Sequence, residues 1–206
     1  GPAMRIALFA VLLCAVAWAQ PPDLLLHAPF DGTADPAFAR GSGLQQGGLL
    51  TFAPGLRGGA VSLTSDCLFA VPGNFDPRAG TLACWLRPHW SGADSTGHYV
   101  FCLYGRRDQP ESWAHNRFDV HCAAGQCYFS VYPQTPGGSV GIGGSIRTWR
   151  ADEWHHVAVT WSNISSGQAN AELHLYLDGI PAGALTGKRI DVGPTDEAMA
   201  LGRDQD

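Results

Sequence analysis

Positive charge is scarce and scattered in this chain of 206 residues. No run of Lys or Arg exceeds two, and the pairs are Arg106-Arg107 and Lys188-Arg189. With 13 basic and 18 acidic residues the net charge is −5, which argues against nucleic acid and anionic membranes as partners. Glutamate is also rare: Glu111, Glu153, Glu172 and Glu197 are all there are. Retaining glycosidases place two carboxylates about 5–5.5 Å apart. On a strand this calls for acidic residues at i and i+2 or i+4, and none of the four glutamates has such a partner within an expected strand. Asp152 and Glu153 are adjacent, so their side chains diverge. No Ser sits in a nucleophile elbow. No cysteine pair has the two-residue spacing of a structural zinc site, and no EF-hand spacing occurs. Gly137-Gly138 and Gly141–Gly144 lack the Lys and following helix of a phosphate-binding loop. No long stretch has a 3.6-residue period, and no repeat or low-complexity segment is found.

What is there begins with a leader. Gly1–Ala3 reads as an expression scar. Arg5, the uncharged apolar run Ile6–Trp18 and the small-large-small triplet Ala17-Trp18-Ala19 fit a signal peptide over residues 4–19, cleaved after Ala19. The apolar run is shorter than the about 20 residues of a spanning helix, so a retained anchor is the lesser alternative. Leu13 before Cys14 does not fit a lipoprotein signal. Removing nineteen residues leaves 187 residues with Gln20 first, and loss of Arg5 takes the charge to −6. The expected location is secreted, periplasmic or cell-surface, with no membrane insertion after cleavage.

Glycine (26) and proline (14) make up about a fifth of the chain and punctuate short apolar runs, the pattern of an all-β protein. Strands are expected at Leu24–His27, Ala60–Leu63, Cys67–Val71, Thr81–Arg87, Tyr99–Tyr104, Arg117–His121, Tyr128–Tyr132, His155–Trp161 and Leu173–Leu177. The alternation in Thr81–Arg87 puts Leu82, Cys84 and Leu86 on one face. That in His155–Trp161 groups His155, Val157, Val159 and Trp161. Asp178-Gly179 is a strong hairpin turn. Such strands build a two-sheet sandwich or a barrel.

Five cysteines follow the leader: Cys67, Cys84, Cys102, Cys122 and Cys127. Export permits disulfides, and an odd count leaves one thiol over. Cys122 and Cys127 flank the turn-like Ala-Ala-Gly-Gln and are expected to face each other across a hairpin. Cys84 with Cys102 is the second expected pair, because consecutive strands usually neighbour each other.

Specific segments then resemble one family. FAPGLRGGAVSL (Phe52–Leu63), GTLACWLRPHW (Gly80–Trp90), WHHVAVTWS (Trp154–Ser162), LYLDGIPAG (Leu175–Gly183) and ALGRDQD (Ala200–Asp206) resemble, in order, strands of the laminin-G-like, concanavalin A-like lectin/glucanase jelly rolls. The resemblance runs from about Leu24 to the end. It implies an all-β, two-sheet antiparallel jelly-roll sandwich over residues 20–206 as a single domain. Family members usually continue into one more strand, so the final strand is expected to be missing and the domain truncated. A missing strand leaves an open sheet edge that invites self-association.

The resemblance implies a non-catalytic carbohydrate-binding or adhesion module with a polysaccharide or glycan partner. A structural, self-assembling interaction domain of a larger extracellular protein is the alternative, and a polysaccharide lyase or hydrolase with an unrecognised site is the second. For the last, His98, His115 and His121 lie near Tyr104, Tyr128 and Tyr132, and a His/Tyr pair can serve as base and acid in β-elimination. No spacing forces them together, and hydrogen-bonded strand histidines are the commoner case. His155-His156 read as structural, since neighbours on a strand face opposite sides. Trp85, Trp154 and Trp161 are assigned to packing. Trp90, Trp113 and Trp149 lie in polar, turn-rich stretches, where aromatics either bind ligand or cap the sandwich. Tyr104, Arg106, Arg107 and Asn116 are expected to add hydrogen bonds. No cofactor is required, although relatives often hold calcium. Asp66, Asp94, Asp108 and Asp119 are the candidate oxygen ligands. Asn163-Ile164-Ser165 fits a glycosylation acceptor.

Overall fold

The computed structural model describes residues 23–47, 50–63, 67–111, 113–135 and 138–202. The expected leader, Asp66 and the last four residues lie outside this set.

Fifteen strands occur among the described residues: β1 (Leu26–His27), β2 (Phe38–Ala39), β3 (Leu44–Gly47), β4 (Thr51–Pro54), β5 (Gly59–Ser62), β6 (Cys67–Ala70), β7 (Gly80–Leu86), β8 (His98–Leu103), β9 (Arg117–Ala123), β10 (Gln126–Tyr132), β11 (Val140–Ser145), β12 (His155–Ser162), β13 (Ala171–Leu177), β14 (Ile180–Lys188) and β15 (Ala198–Leu201). A seven-stranded sheet runs β11-β10-β9-β8-β15-β6-β3 and a four-stranded sheet runs β14-β13-β12-β7. β1–β2 and β4–β5 form small ribbons. Every strand pairing is antiparallel. This is the expected all-β jelly-roll sandwich.

Alternation builds the core. Val157, Val159 and Trp161 of β12 and Leu173, Leu175 and Leu177 of β13 point inward and are buried. They meet Phe69, Phe101, Phe118, Val120, Phe129 and Val131 of the larger sheet, because a strand sends every second side chain to the same face. Aromatic rings fill the centre. Phe75 stacks on Trp161 at 5.1 Å and on Phe101 at 5.9 Å, and meets Phe118 edge-on at 5.3 Å. The Trp161 indole Nε1 donates to the Asp76 carbonyl at 3.0 Å.

Register ties the sequence motifs together. Gly80 lies opposite Trp161, and a Cβ there would stand 2.5 Å from the indole ring. Asp178 takes a left-handed turn conformation (φ 52°) before Gly179, as the β13–β14 hairpin requires. Its carboxylate accepts from the His156 backbone N–H at 2.8 Å and lies 3.0 Å from His155 Nδ1. Burial alone would raise the Asp178 carboxyl, but the bonds from His156 and His155 outweigh it and hold it below the ordinary value of 3.8. A depressed native pKa stabilises the fold fully above the unfolded value and is lost as pH falls through the native one. Acid titration of unfolding is therefore expected to lose part of its stability below pH 3.8, and Asp178→Asn to flatten that limb.

The cysteine expectations divide. Cys122 and Cys127 are register partners across the β9–β10 hairpin, both buried and joined by a thiol hydrogen bond. The expected Cys122–Cys127 disulfide is corrected: both are free thiols, and no disulfide forms among the described residues. The Cys84–Cys102 pairing is corrected. Cys84 faces the core from β7 of the smaller sheet, beside Cys122 and Cys127. Cys102, on β8 of the other sheet, is the register partner of Asp119 and shares its outer face. Consecutive strands neighbour each other only when they stay in one sheet, and β7 to β8 crosses between sheets. Burial pushes the Cys84 thiol up to about 12 and the Cys67 thiol up to about 11.

Candidate functional site

The strand β9 reads Arg117-Phe118-Asp119-Val120-His121. Phe118 and Val120 are core residues, so Arg117, Asp119 and His121 project together from the opposite, outer face of the seven-stranded sheet. The β9–β10 turn, Ala124-Gly125, has positive φ at both residues (50° and 88°) and fixes the register as a two-residue hairpin does. That register sets Tyr128 across from His121, Ser130 across from Asp119 and Tyr132 across from Arg117. On the other side β8 brings Tyr99 to His121 and Cys102 to Asp119.

The result is one polar-aromatic cluster. The Arg117 guanidinium lies 4.4 Å from the Tyr104 ring centre, 5.3 Å from Tyr132 and 5.4 Å from Tyr99. Asp119, fully buried at 0% exposure, stands 3.0 Å from Arg117 Nε and 2.8 Å from His121 Nδ1. Burial opposes the charge on Arg117, but Cys102, Asp119, Tyr99 and Tyr132 outweigh it and hold its pKa above the usual value. Burial and the Asp119 charge raise the Tyr132 phenol. The His121 ring stacks on Tyr128 at 5.1 Å and meets Tyr99 at 5.4 Å. The Asp119 carboxylate beside Nδ1 fixes the orientation of the His121 ring. On the adjacent β11, Gly143 lies opposite Tyr128, and a Cβ there would come 2.9 Å from the Tyr128 ring. Glycine lets this ring lie flat against the edge strand.

The segment 104–116 leads from Tyr104 at the end of β8 to Arg117. Trp113 on it is 63% exposed. Arg106 pairs with Asp108 through Nε at 3.0 Å and Nη2 at 2.5 Å, and Arg107 pairs with Asp196 at 2.8 Å. Asn116 is buried, and its Oδ1 accepts from the Gly193 backbone N–H at 2.7 Å. Arg106, Arg107 and Arg117 each have a carboxylate partner, so these cations bring the surface no net positive charge.

Of the expected ligand residues, Tyr104, Arg106, Trp113 and Asn116 fall on this segment, but only Trp113 and Arg106 are exposed. Tyr104 and Asn116 are buried supports. Trp149 is corrected: it is 5% exposed, stacks on His155 at 4.0 Å with the planes 7° apart and hydrogen-bonds Asp178. A ring held there offers no face to a ligand. Trp90 is half-buried and stacks on His98 at 4.3 Å, away from the cluster. Trp161 packs as expected and Trp154 is half-buried under Arg87. Trp85 is corrected in the other direction: it is 54% exposed on the outer face of β7, tilted against His156 at 5.0 Å.

Among the described residues, the candidate calcium ligands Asp94, Asp108 and Asp119 do not converge. Asp94 accepts from the Thr96 backbone and lies 3.4 Å from His98. Asp108 is taken by Arg106, and Asp119 by Arg117 and His121. Among the described residues no three His, Cys, Asp or Glu form a group able to hold a metal. Asn163 is exposed, with its amide donating to the Asn170 carbonyl at 3.1 Å.

Sequence reasoning noted His121, Tyr128 and Tyr132 only as scattered bases and acids, and it missed Tyr99 and Arg117. The available signal was the strict alternation of Arg117, Asp119 and His121 with apolar Phe118 and Val120. A strand covered on one face by core does not carry three buried or half-buried polar groups on the other without a reason.

A family model described as the concanavalin A-like lectin/glucanases superfamily matches residues 60–206, and the chain belongs to that superfamily, in its laminin-G branch. The backbone is similar to the binding domain of botulinum neurotoxin serotype D (TM-score 0.59, 9% identity, covering 89% of this chain and 44% of that one). It is similar also to the receptor binding domain of botulinum neurotoxin type G (0.58, 12%, 87% and 42%). The binding domain of Paraclostridial mosquitocidal protein 1 is a third (0.58, 10%, 88% and 45%). The chain spans less than half the length of each of these structures. No curated protein matches its sequence. No helix among the described residues is long and apolar enough to cross a membrane.

Proposed function

We propose that this domain is an exported, non-catalytic carbohydrate-binding module that holds a neutral glycan on the outer face of the seven-stranded sheet. The observation that carries the reading is the Arg117–Asp119–His121 row, set among Tyr99, Tyr128 and Tyr132 and continued by the segment bearing exposed Trp113. Sugars present apolar C–H faces, which aromatic rings accept, and hydroxyls, which a few fixed polar groups orient. Tyr128, His121 and Trp113 supply rings, and the His121 imidazole adds a polar edge. The paired state of Arg106, Arg107 and Arg117 favours hydroxyls over a carboxylate or sulfate, because no cation is left seeking an anion. The binding domain of botulinum neurotoxin DC, similar at TM-score 0.58 and 10% identity, is described in complex with SialylT.

Asp119 is committed to Arg117 and His121, which favours binding over acid–base hydrolysis. Affinity electrophoresis through neutral polysaccharide gels tests the reading. Retardation on one glycan is expected, with Trp113→Ala and Tyr128→Ala each weakening it two- to tenfold, the scale of one lost stacking contact of about 0.5–1.5 kcal/mol. Running each gel with calcium and with EDTA shows whether a metal takes part. Release of unsaturated products from an acidic polysaccharide would replace binding with β-elimination by His121 and a tyrosine.

A further inference from the structure

The half-exposed rings of the outer face fall in one line across the strands. Tyr99 of β8 and Tyr128 of β10 are both register partners of His121 on β9, and Tyr128 is in turn the partner of Gly143 on β11. The ring centres are 5.4 Å apart from Tyr99 to His121 and 5.1 Å from His121 to Tyr128. All three rings are half-buried, and Gly143 is exposed. The next line along the strands is different. Cys102, Asp119 and Ser130 are neighbours there in the same way, and all three are buried. In the line after that Arg117 is buried and Tyr132 half-buried. A ligand lying along β9 therefore loses reachable side chains after one step, whereas a ligand lying across β8, β9 and β10 keeps meeting them.

The line runs out over a strand without outward side chains. In β11, Val140-Gly141-Ile142-Gly143-Gly144-Ser145, Ile142 and Gly144 are buried while Gly141 and Gly143 are exposed. Alternation puts the two exposed glycines on the outer face, opposite Ser130 and Tyr128. Glycine inside a strand marks a place where another group comes close to the backbone. The Tyr128 ring is one such group, since a Cβ on Gly143 would stand 2.9 Å from it. Beyond that ring no β11 side chain rises at positions 141 and 143 to stop a ligand.

We propose that the glycan held on this face is a linear chain laid across β8, β9 and β10 and running out over β11, read over several sugar units and not as a single terminal sugar. The proposal rests on the outer face being the glycan site. Strands about 4.8 Å apart make the line from Tyr99 to Gly143 about 14 Å long, room for about three linked pyranoses. Each half-exposed ring gives a successive unit an apolar partner, and the exposed glycines let the chain continue past Tyr128. A lone terminal sugar would leave most of the line empty.

The length of the ligand is therefore the test. The full chain is run through gels of xylan, mixed-linkage glucan and galactomannan, and isothermal titration calorimetry then follows with the mono- to hexasaccharides of the polysaccharide that retards it. Affinity is expected to rise about two- to tenfold with each unit up to about three, the scale of one ring contact per unit, and then to level off. Gly143→Ala, whose Cβ displaces the Tyr128 ring, is expected to cancel the gain of one unit and keep the others, whereas a folding defect would lower every length alike. Retardation on a gel with a monosaccharide as tight as the hexasaccharide would overturn the chain proposal and leave the glycan reading standing. So would a length series unchanged by Gly143→Ala. No retardation on any of the three gels would overturn both.

Discussion

Asp119→Ala is expected to cost about 3–5 kcal/mol of folding stability, the usual penalty for breaking a buried ion pair. The reason is the site's construction. Asp119 is fully buried, and the Arg117 side chain is only 7% exposed. Removing the carboxylate leaves a guanidinium among three tyrosine rings with its main counter-charge gone, and frees the His121 ring that Asp119 orients. Replacing both partners with apolar groups is expected to behave differently. Arg117→Met with Asp119→Leu removes two desolvated charges together, and such exchanges are often neutral or stabilising. Urea unfolding of the two variants checks this: a severe loss in the single, with most of it regained in the double. Glycan binding should be lost in both. That separates the stability role of the pair from its role in presenting His121 and the tyrosines.

The second large effect lies in the core. Trp161→Ala is expected to cost about 3–5 kcal/mol, since this ring packs against Phe75, Phe118 and Phe129 and donates to Asp76. Gly80→Ala approaches the same ring from the opposite strand. Its Cβ would lie 2.5 Å from the indole, so about 1–3 kcal/mol of overpacking is expected. The two changes should couple. In a Trp161→Ala background the Gly80 methyl enters vacated space, and its cost should vanish. A double-mutant cycle by thermal or chemical unfolding reads this coupling. Additive losses would mean that the Gly80–Trp161 contact does not determine why these two residues accompany each other.

Much of the scaffold was legible because a strand's buried face has period two. Val157, Val159 and Trp161 announced an inward face, Asp178-Gly179 announced a hairpin, and Cys122 and Cys127 announced facing positions across a short turn, though not the disulfide expected of them. All three follow from local geometry. The failures required knowledge of sheet order. β15, near the end of the chain, inserts between β8 and β6, and β7 and β8 part into different sheets, so Cys84 and Cys102 were placed side by side when they are not. Tryptophan exposure failed for the same reason. Trp149 stands in a polar stretch, yet the turn folds its ring onto His155. Trp85 stands in a regular strand, yet its parity sends it outward from the sheet. The Arg117–Asp119–His121 row was visible as alternation, but Tyr99, Tyr128 and Tyr132 reach it only through the β8–β9–β10 register. Spacing along one chain does not carry that information.

The central claim is that glycan lies on the outer face of the seven-stranded sheet. Backbone amide chemical-shift mapping during titration with the glycan retained in the gels tests it most directly. The expected result is perturbation concentrated at Tyr99, Arg117–His121, Tyr128–Tyr132, Gly141–Gly143 and the segment around Trp113, saturating together with one affinity. Perturbation confined to the opposite sheet, around Trp85, His156 and Tyr176, would contradict the account and move the binding surface to the other side of the sandwich.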